Sequence, residues 1–136
     1  MDCIFCRIIA GEIPCYRVAE NDDCLAFLDI EPAAKGHTLV IPKQHSQDLL
    51  DTSPDTLALV AQMVQQVAHQ IDVTLEPDGI NMLQNNRPAA GQVVMHYHVH
   101  LIPRWNDDNV MQAWRPKLAT QLDLNEIAAQ LRAAAH

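Results

Sequence analysis

His96-Tyr97-His98-Val99-His100-Leu101-Ile102 sets imidazoles at every second position of an otherwise apolar stretch. Successive side chains of a strand point to opposite faces. The stretch therefore predicts a strand with His96, His98 and His100 on one face, about 7 Å from one to the next. Tyr97, Val99 and Leu101 would enter a core on the other face. The strand is expected to run over residues 93–103. Imidazoles in such a row suit metal binding, since His-x-His is a common ligand pair. They also suit nucleophilic or general acid–base chemistry near neutral pH. A merely solvated polar face is the third reading, and the repetition disfavours it.

Upstream, Gly36-His37-Thr38-Leu39-Val40-Ile41-Pro42-Lys43-Gln44-His45 reads as a second strand, over 37–41, stopped by Pro42 and bracketed by histidines. Residues 3–10 read as a short helical turn closed by Gly11 and Pro14. Residues 16–20 and 24–28 read as a hairpin around Asn21-Asp22-Asp23. Ser53 as N-cap and Pro54 at the first helical position open a long helix over 54–74. Its apolar face is Leu57, Val60, Val64, Val67 and Ile71. A strand over 80–83 and a polar loop over 85–92 follow. A final helix starts near Asp123, with Glu126 in a capping-box position and Leu124, Ile127 and Leu131 as its apolar face. This order predicts an α+β fold: an antiparallel sheet of about five strands, one long central helix and a short C-terminal helix.

The chain has 136 residues, 49% of them hydrophobic and 19% charged, the composition of a globular protein. One domain over 1–136 is expected, with a core at about 2–105 and a tail at about 106–136. No repeat, low-complexity tract or flexible linker interrupts it. Nine basic residues against 17 acidic ones give a net charge of −8. A nucleic-acid partner held by a broad basic face is not expected, nor are stacking platforms for single strands, with 4% aromatic residues. No apolar run is long enough to span a membrane, and no basic segment leads into an apolar one at the N-terminus, so neither a membrane association nor a signal peptide is expected. A cytoplasmic location follows, where Cys3, Cys6, Cys15 and Cys24 stay reduced.

Cys3-Ile4-Phe5-Cys6 is a C-x-x-C pair, open to metal, redox or packing roles. A thioredoxin-like role needs a preceding strand, for which there is no room. Structural zinc takes four ligands, so the pair would need two more. His45 and His96 are the candidates.

The motifs together resemble the histidine triad (HIT) family, in particular its Hint-like branch. The likeness rests on Ile4-Phe5-Cys6-Arg7-Ile8-Ile9 with Gly11-Glu12-Ile13-Pro14, on Leu25-Ala26-Phe27-Leu28-Asp29-Ile30, on residues 36–45, and on Ala90-Gly91-Gln92 through Arg104. It covers about residues 2–105; the tail carries no recognised motif. The resemblance implies a HIT-like α+β fold and a homodimer. It implies attack on the α-phosphorus of purine nucleoside phosphoramidates or related nucleotidyl compounds, with His98 as nucleophile. His100 and His37 would contact the phosphate or leaving group, and His96 completes the triad. Ile4, Phe5, Ile8, Phe27, Leu28 and Ile30 would form the base and sugar pocket, with Asp29 on the ribose hydroxyls. Asn85 and Gln92 would contact the leaving group and phosphate, and Gly91 would allow close backbone approach. Val93 stands where many relatives carry Ser or Thr, which removes a hydroxyl donor. Some relatives, the uridylyltransferases among them, bind zinc through two N-terminal cysteines and two histidines. Cys3, Cys6, His45 and His96 match those four in residue type. No organic cofactor is implied.

Two other activities fit the same motifs. A dinucleoside polyphosphate hydrolase of the Fhit-like kind is favoured by Arg104, which could meet extra phosphates, and disfavoured by Asn85. A nucleotide-binding regulator with incidental catalysis is the other. In relatives the C-terminus approaches the partner subunit's site, so Trp105 and Trp114 would shape specificity across a dimer or else anchor the tail on the sheet.

Overall fold

The two apolar runs at 24–28 and 37–41 become neighbouring strands because only the middle of a sheet, covered on both faces, can bury side chains of either parity. In chain order the elements are α1 (Ile4–Ile9), β1 (Arg17–Glu20), β2 (Cys24–Leu28), β3 (Thr38–Pro42), α2 (Pro54–Leu75), β4 (Gly79–Leu83), a 3-10 turn at Pro88–Ala90, β5 (Val99–Arg104) and α3 (Gln121–Ala133). The structure is a computed structural model describing residues 2–119 and 121–134; Met1, Thr120, Ala135 and His136 lie outside the described residues. The sheet has five strands in the order β1-β2-β3-β5-β4, each antiparallel to its neighbours, as expected for this α+β class.

Strand alternation divides the core in two. Cys24, Ala26, Val40, Val99 and Leu101 face α2, where Val60, Met63, Val64, Val67 and Ile71 are buried. Leu25, Phe27, Leu39 and Ile41 face the opposite way, against Phe5 and Cys3 of the N-terminal segment. Each buried large apolar side chain contributes roughly 1.5–3 kcal/mol, so α2 is held chiefly by its stripe. Its start is set by Ser53, whose Oγ accepts the Thr56 N–H at 3.2 Å. Its end is set by Glu76 in the left-handed region at φ 50°. Gly36, at φ +86°, lies where a Cβ would run into the Leu75 side chain. The β1–β2 turn is closed by Asn21 Oδ1, which accepts the N–H groups of Asp23 and Cys24 at 2.9 and 2.8 Å.

The strand expected over 93–103 begins only at Val99. The β3–β5 ladder pairs Thr38 with Leu101, Leu39 with His100 and Val40 with Val99, then stops. Extending that register would set Pro42 opposite Tyr97, and proline has no N–H to give. Its carbonyl instead accepts from His96 Nε2 at 2.8 Å, and the Tyr97 N–H goes to the Ser46 carbonyl at 2.8 Å. Residues 93–98 therefore lie outside the ladder, and His96, although its ring stands edge-on to Phe5 at 5.8 Å as His98 does at 5.2 Å, turns its Nδ1 to Cys3 rather than to the cleft.

The tail also differs from expectation. α3 starts two residues before Asp123, and its apolar face, Leu124, Ile127 and Leu131, is exposed. Trp114 is 86% exposed, so it does not anchor the tail. No helix among the described residues is long and apolar enough to cross a membrane.

Candidate active site

His98 and His100 lie on the side of the sheet opposite α2, and their protonation can be read from their partners. His98 Nδ1 is 2.6 Å from the His96 carbonyl oxygen. A carbonyl only accepts, so the proton sits on Nδ1 and Nε2 carries a lone pair. Burial pushes the His98 pKa down, opposed by the bond to the His96 carbonyl and by the charge of Asp29. The ring is a neutral imidazole at pH 7.

His100 is polarised the other way. The Ala33 N–H donates to His37 Nδ1 at 3.0 Å, which leaves the His37 proton on Nε2. That nitrogen is 2.9 Å from His100 Nδ1, so His37 donates and the His100 proton is displaced to Nε2. Burial, reinforced by His98 and His37, brings the His100 pKa down to about 4. Burial likewise lowers the His37 pKa, against Asp29, whose Oδ2 is 3.7 Å from His37 Nε2. Two neighbouring rings, with centroids 5.0 Å apart, thus present opposite chemistry: a bare nitrogen on His98 and an N–H on His100.

Both rings open onto a cleft of about 380 Å³. Of the residues expected there, Ile4, Phe5, Ile8, Phe27, Leu28, Asp29, Ile30, Gly91 and Val93 line it. Phe5 stands edge-on to Phe27 at 5.5 Å and to His98 at 5.2 Å. Gly91 reaches the wall at φ +98°, and Val93 is 87% exposed at it. Sequence reasoning missed Ile13, Pro14, Cys15, Glu31, Leu39 and Val94, which complete the lining. Leu39 could have been found from its strand parity with Leu25 and Phe27 across the sheet. Asp29 and Glu31 are the acidic side chains of the wall, and among the described residues no Lys or Arg lines it.

Other expected residues are not brought to the cleft. Gln92 is buried, and its Oε1 accepts the Arg87 N–H at 2.6 Å. Its Nε2 donates to the carbonyls of Gln47 and Val94 at 2.7 and 3.0 Å. That amide ties the loop together and is unavailable to a phosphate. Asn85 does not line the cleft; its Nδ2 lies 3.5 Å from the Gly91 carbonyl oxygen. His37 sits behind His100 rather than on the wall. Arg104 forks onto Asp108 at 2.9 and 2.7 Å and reaches Asn81 at 2.7 Å. It borders a separate cleft with Trp105, not the one at the histidines.

His96 faces a different cluster. Its Nδ1 is 3.3 Å from Cys3 Sγ, 3.6 Å from Cys6 Sγ and 3.1 Å from His45 Nδ1. Cys6 Sγ is 3.4 Å from His45 Nδ1, and all four ligand atoms lie within 4.8 Å of one another. Zinc bonds of about 2.3 Å to sulfur and 2.0–2.1 Å to nitrogen, set tetrahedrally, need edges of roughly 3.3–3.8 Å. The donor set fits zinc. His96 donates Nε2–H to the Pro42 carbonyl, which bares Nδ1 toward the cluster and supplies the outer partner that metal-binding histidines use. The three triad rings therefore do not converge on one ion.

The family described as HIT domain matches residues 10–107. An adenosine 5'-monophosphoramidase of Schizosaccharomyces pombe is 44% identical over 108 residues, which span 79% of this chain and 78% of that protein. The crystal structure of a HIT family member from Bacillus subtilis aligns with a TM-score of 0.94 at 38% identity, covering 100% of this chain and 99% of that one. A Zn-bound histidine triad family protein from Mycobacterium smegmatis aligns with a TM-score of 0.77 at 40% identity, covering 99% of each chain.

Proposed function

The chain belongs to the HIT family of nucleotide hydrolases, and from that premise we propose that it hydrolyses purine nucleoside phosphoramidates, or related nucleotidyl compounds, at the α-phosphorus. The observation that carries this reading is the opposite polarity of His98 and His100. The nucleotide lies with its base against Ile4, Phe5, Ile8 and Phe27, flanked by Leu28 and Ile30, and its ribose hydroxyls at Asp29. His98 Nε2 attacks phosphorus, and the bond to the leaving nitrogen breaks. His98 becomes cationic as a nucleotidyl-histidine, and the His96 carbonyl, already holding its Nδ1–H, stabilises that charge. His100 Nε2–H is the donor toward the phosphoryl oxygen or the leaving nitrogen. Water then releases the nucleoside monophosphate. Over both steps one water is consumed, its hydroxyl to phosphorus and its proton to the amine.

The wall charges favour a short leaving group. A dinucleoside polyphosphate would bring further anionic phosphates to a cleft lined by Asp29 and Glu31 and, among the described residues, by no Lys or Arg. Arg104, the residue that favoured that substrate, is committed to Asp108.

We further propose structural zinc at Cys3, Cys6, His45 and His96, where it would cross-link the N-terminal segment to the segment before β5. The whole chain is read as one domain, working as a cytoplasmic homodimer with a small nucleotide as its ligand. The test is a parallel assay of adenosine phosphoramidate and diadenosine tetraphosphate with wild type and His98→Ala. Loss of activity in the variant, and an adenylyl adduct trapped on His98 of the wild type, are expected. Full activity of His98→Ala on either substrate would remove the nucleophile assignment for that substrate.

A further inference from the structure

We propose that the Cys3, Cys6, His45 and His96 cluster is a metal latch, holding α1 in place as one wall of the nucleotide cleft, so that metal occupancy and nucleotide affinity are coupled. The inference rests on the zinc and nucleotide readings above.

α1 has six residues, too few for a helix to persist by itself. Among the described residues, every hydrogen bond from residues 3–13 to the rest of the chain passes through the two thiols. Cys3 Sγ meets His96, and Cys6 Sγ meets His45 and His96. The other bonds of the segment are internal, such as Arg7 N–H to the Cys3 carbonyl and Arg7 Nε–H to Glu12. What remains is packing centred on Phe5 against Phe27, His96 and His98. The same short helix supplies Ile4, Phe5 and Ile8 to the cleft. Thiols are weak hydrogen-bond partners, so without the ion the wall depends on Phe5 and its neighbours alone. With the ion, two bonds from α1 and its N-cap Cys3 and two from the body of the molecule clamp the wall beside His98.

Coupling between two sites is reciprocal. If the ion orders a wall that the nucleotide needs, the nucleotide must also tighten the ion. A change of about tenfold in each affinity lies within the ordinary range for such couplings.

The experiment uses the full chain with AMP as probe. AMP affinity is measured by calorimetry on zinc-loaded protein and on protein stripped with a chelator. Hydrogen exchange is followed over residues 3–13, with α2 and the sheet as internal reference. The latch predicts that stripping weakens AMP binding about tenfold and abolishes protection over residues 3–13 while α2 and the sheet keep theirs. It predicts that AMP slows transfer of zinc to a chromophoric chelator. Cys6→Ser should reproduce the stripped state without a chelator. Equal AMP affinity with and without zinc overturns the latch and leaves the zinc reading standing. Loss of protection across α2 and the sheet also overturns it, because the ion would then hold the whole fold. A protein that takes up no zinc overturns the zinc reading and the latch together.

Discussion

His37 Nε2 lies 2.9 Å from His100 Nδ1, and the Ala33 N–H on the far side of the His37 ring decides which way that bond runs. A main-chain amide cannot accept, so its orientation propagates through two imidazoles to the nitrogen that faces the cleft. His37 is thus a positioning residue. His37→Phe should lower kcat about 10–100-fold, toward the low end of general acid–base effects, with little change in AMP affinity. The His100 ring should show a mixture of tautomers by nitrogen NMR. An unchanged tautomer in the variant would mean that His37 only fills space.

The same rings set the pH dependence. His98 and His100 must be neutral to act, and burial holds both below the ordinary value of 6.5, His100 at about 4. The acid limb of kcat/KM should therefore fall below pH 6.5, with no loss of rate between pH 8 and 6.5. Stability follows the same sign. Where the folded pKa is lowered, the unfolded chain binds more protons, so stability rises with pH. For His100 the contribution is complete above about pH 6.5 and is lost as pH falls toward 4. Denaturation midpoints measured at pH 7.5, 5.5 and 4.5 should decrease in that order.

His45 touches the metal cluster and has no place in the cleft. His45→Ala should reduce zinc affinity by more than the roughly 10–100-fold that loss of an outer partner costs. It should also lower the melting temperature, and the nucleotidyl-His98 adduct should still form at saturating substrate. Zinc content after dialysis and mass spectrometry of the trapped adduct separate the two effects.

Ile41 is fully buried on the cleft side of β3. Ile41→Ala should cost about 2–5 kcal/mol. Val73, on the exposed side of α2, should tolerate alanine within about 0.5 kcal/mol. Denaturant titration of the two variants checks whether the core lies where the alternation places it.

What could be read from the sequence, and what could not, divides along the range of the interactions involved. The alternation that pairs His98 with His100 is local, as are the caps of α2 and the Asx turn at Asn21, and these were legible. Of the cysteine and histidine cluster, the C-x-x-C pair was legible by itself but open in role, and His45 and His96 were its candidates chiefly through the family resemblance; the structure brings the four together. The end of the ladder before His98, and the turn of His96 toward the cysteines, were not legible, because they depend on Pro42 arriving opposite Tyr97 on another strand. The partners of Gln92 were not legible for a related reason. A loop that crosses the surface must satisfy its own carbonyls, and the Gln92 amide serves Arg87, Gln47 and Val94 before any ligand. Periodicity in α3 foretold the helix but not its partner, and its apolar side is left exposed.

Val93 offers the sharpest control over substrate choice. It stands 87% exposed on the cleft wall beside Gly91, with no cation among the lining residues. Val93→Arg would place a guanidinium there, able to fork onto phosphate oxygens. At the surface such a charge pair is worth on the order of 1 kcal/mol. The ratio of kcat/KM for diadenosine tetraphosphate over adenosine phosphoramidate should therefore rise by roughly 5–10-fold, and the gain should shrink as salt is raised. Because His98 and His100 are held by the His96 carbonyl and by His37, the phosphoramidate rate itself should stay within about twofold. A ratio that does not move at low salt would mean that polyphosphates are refused by the shape of the cleft rather than by its charge.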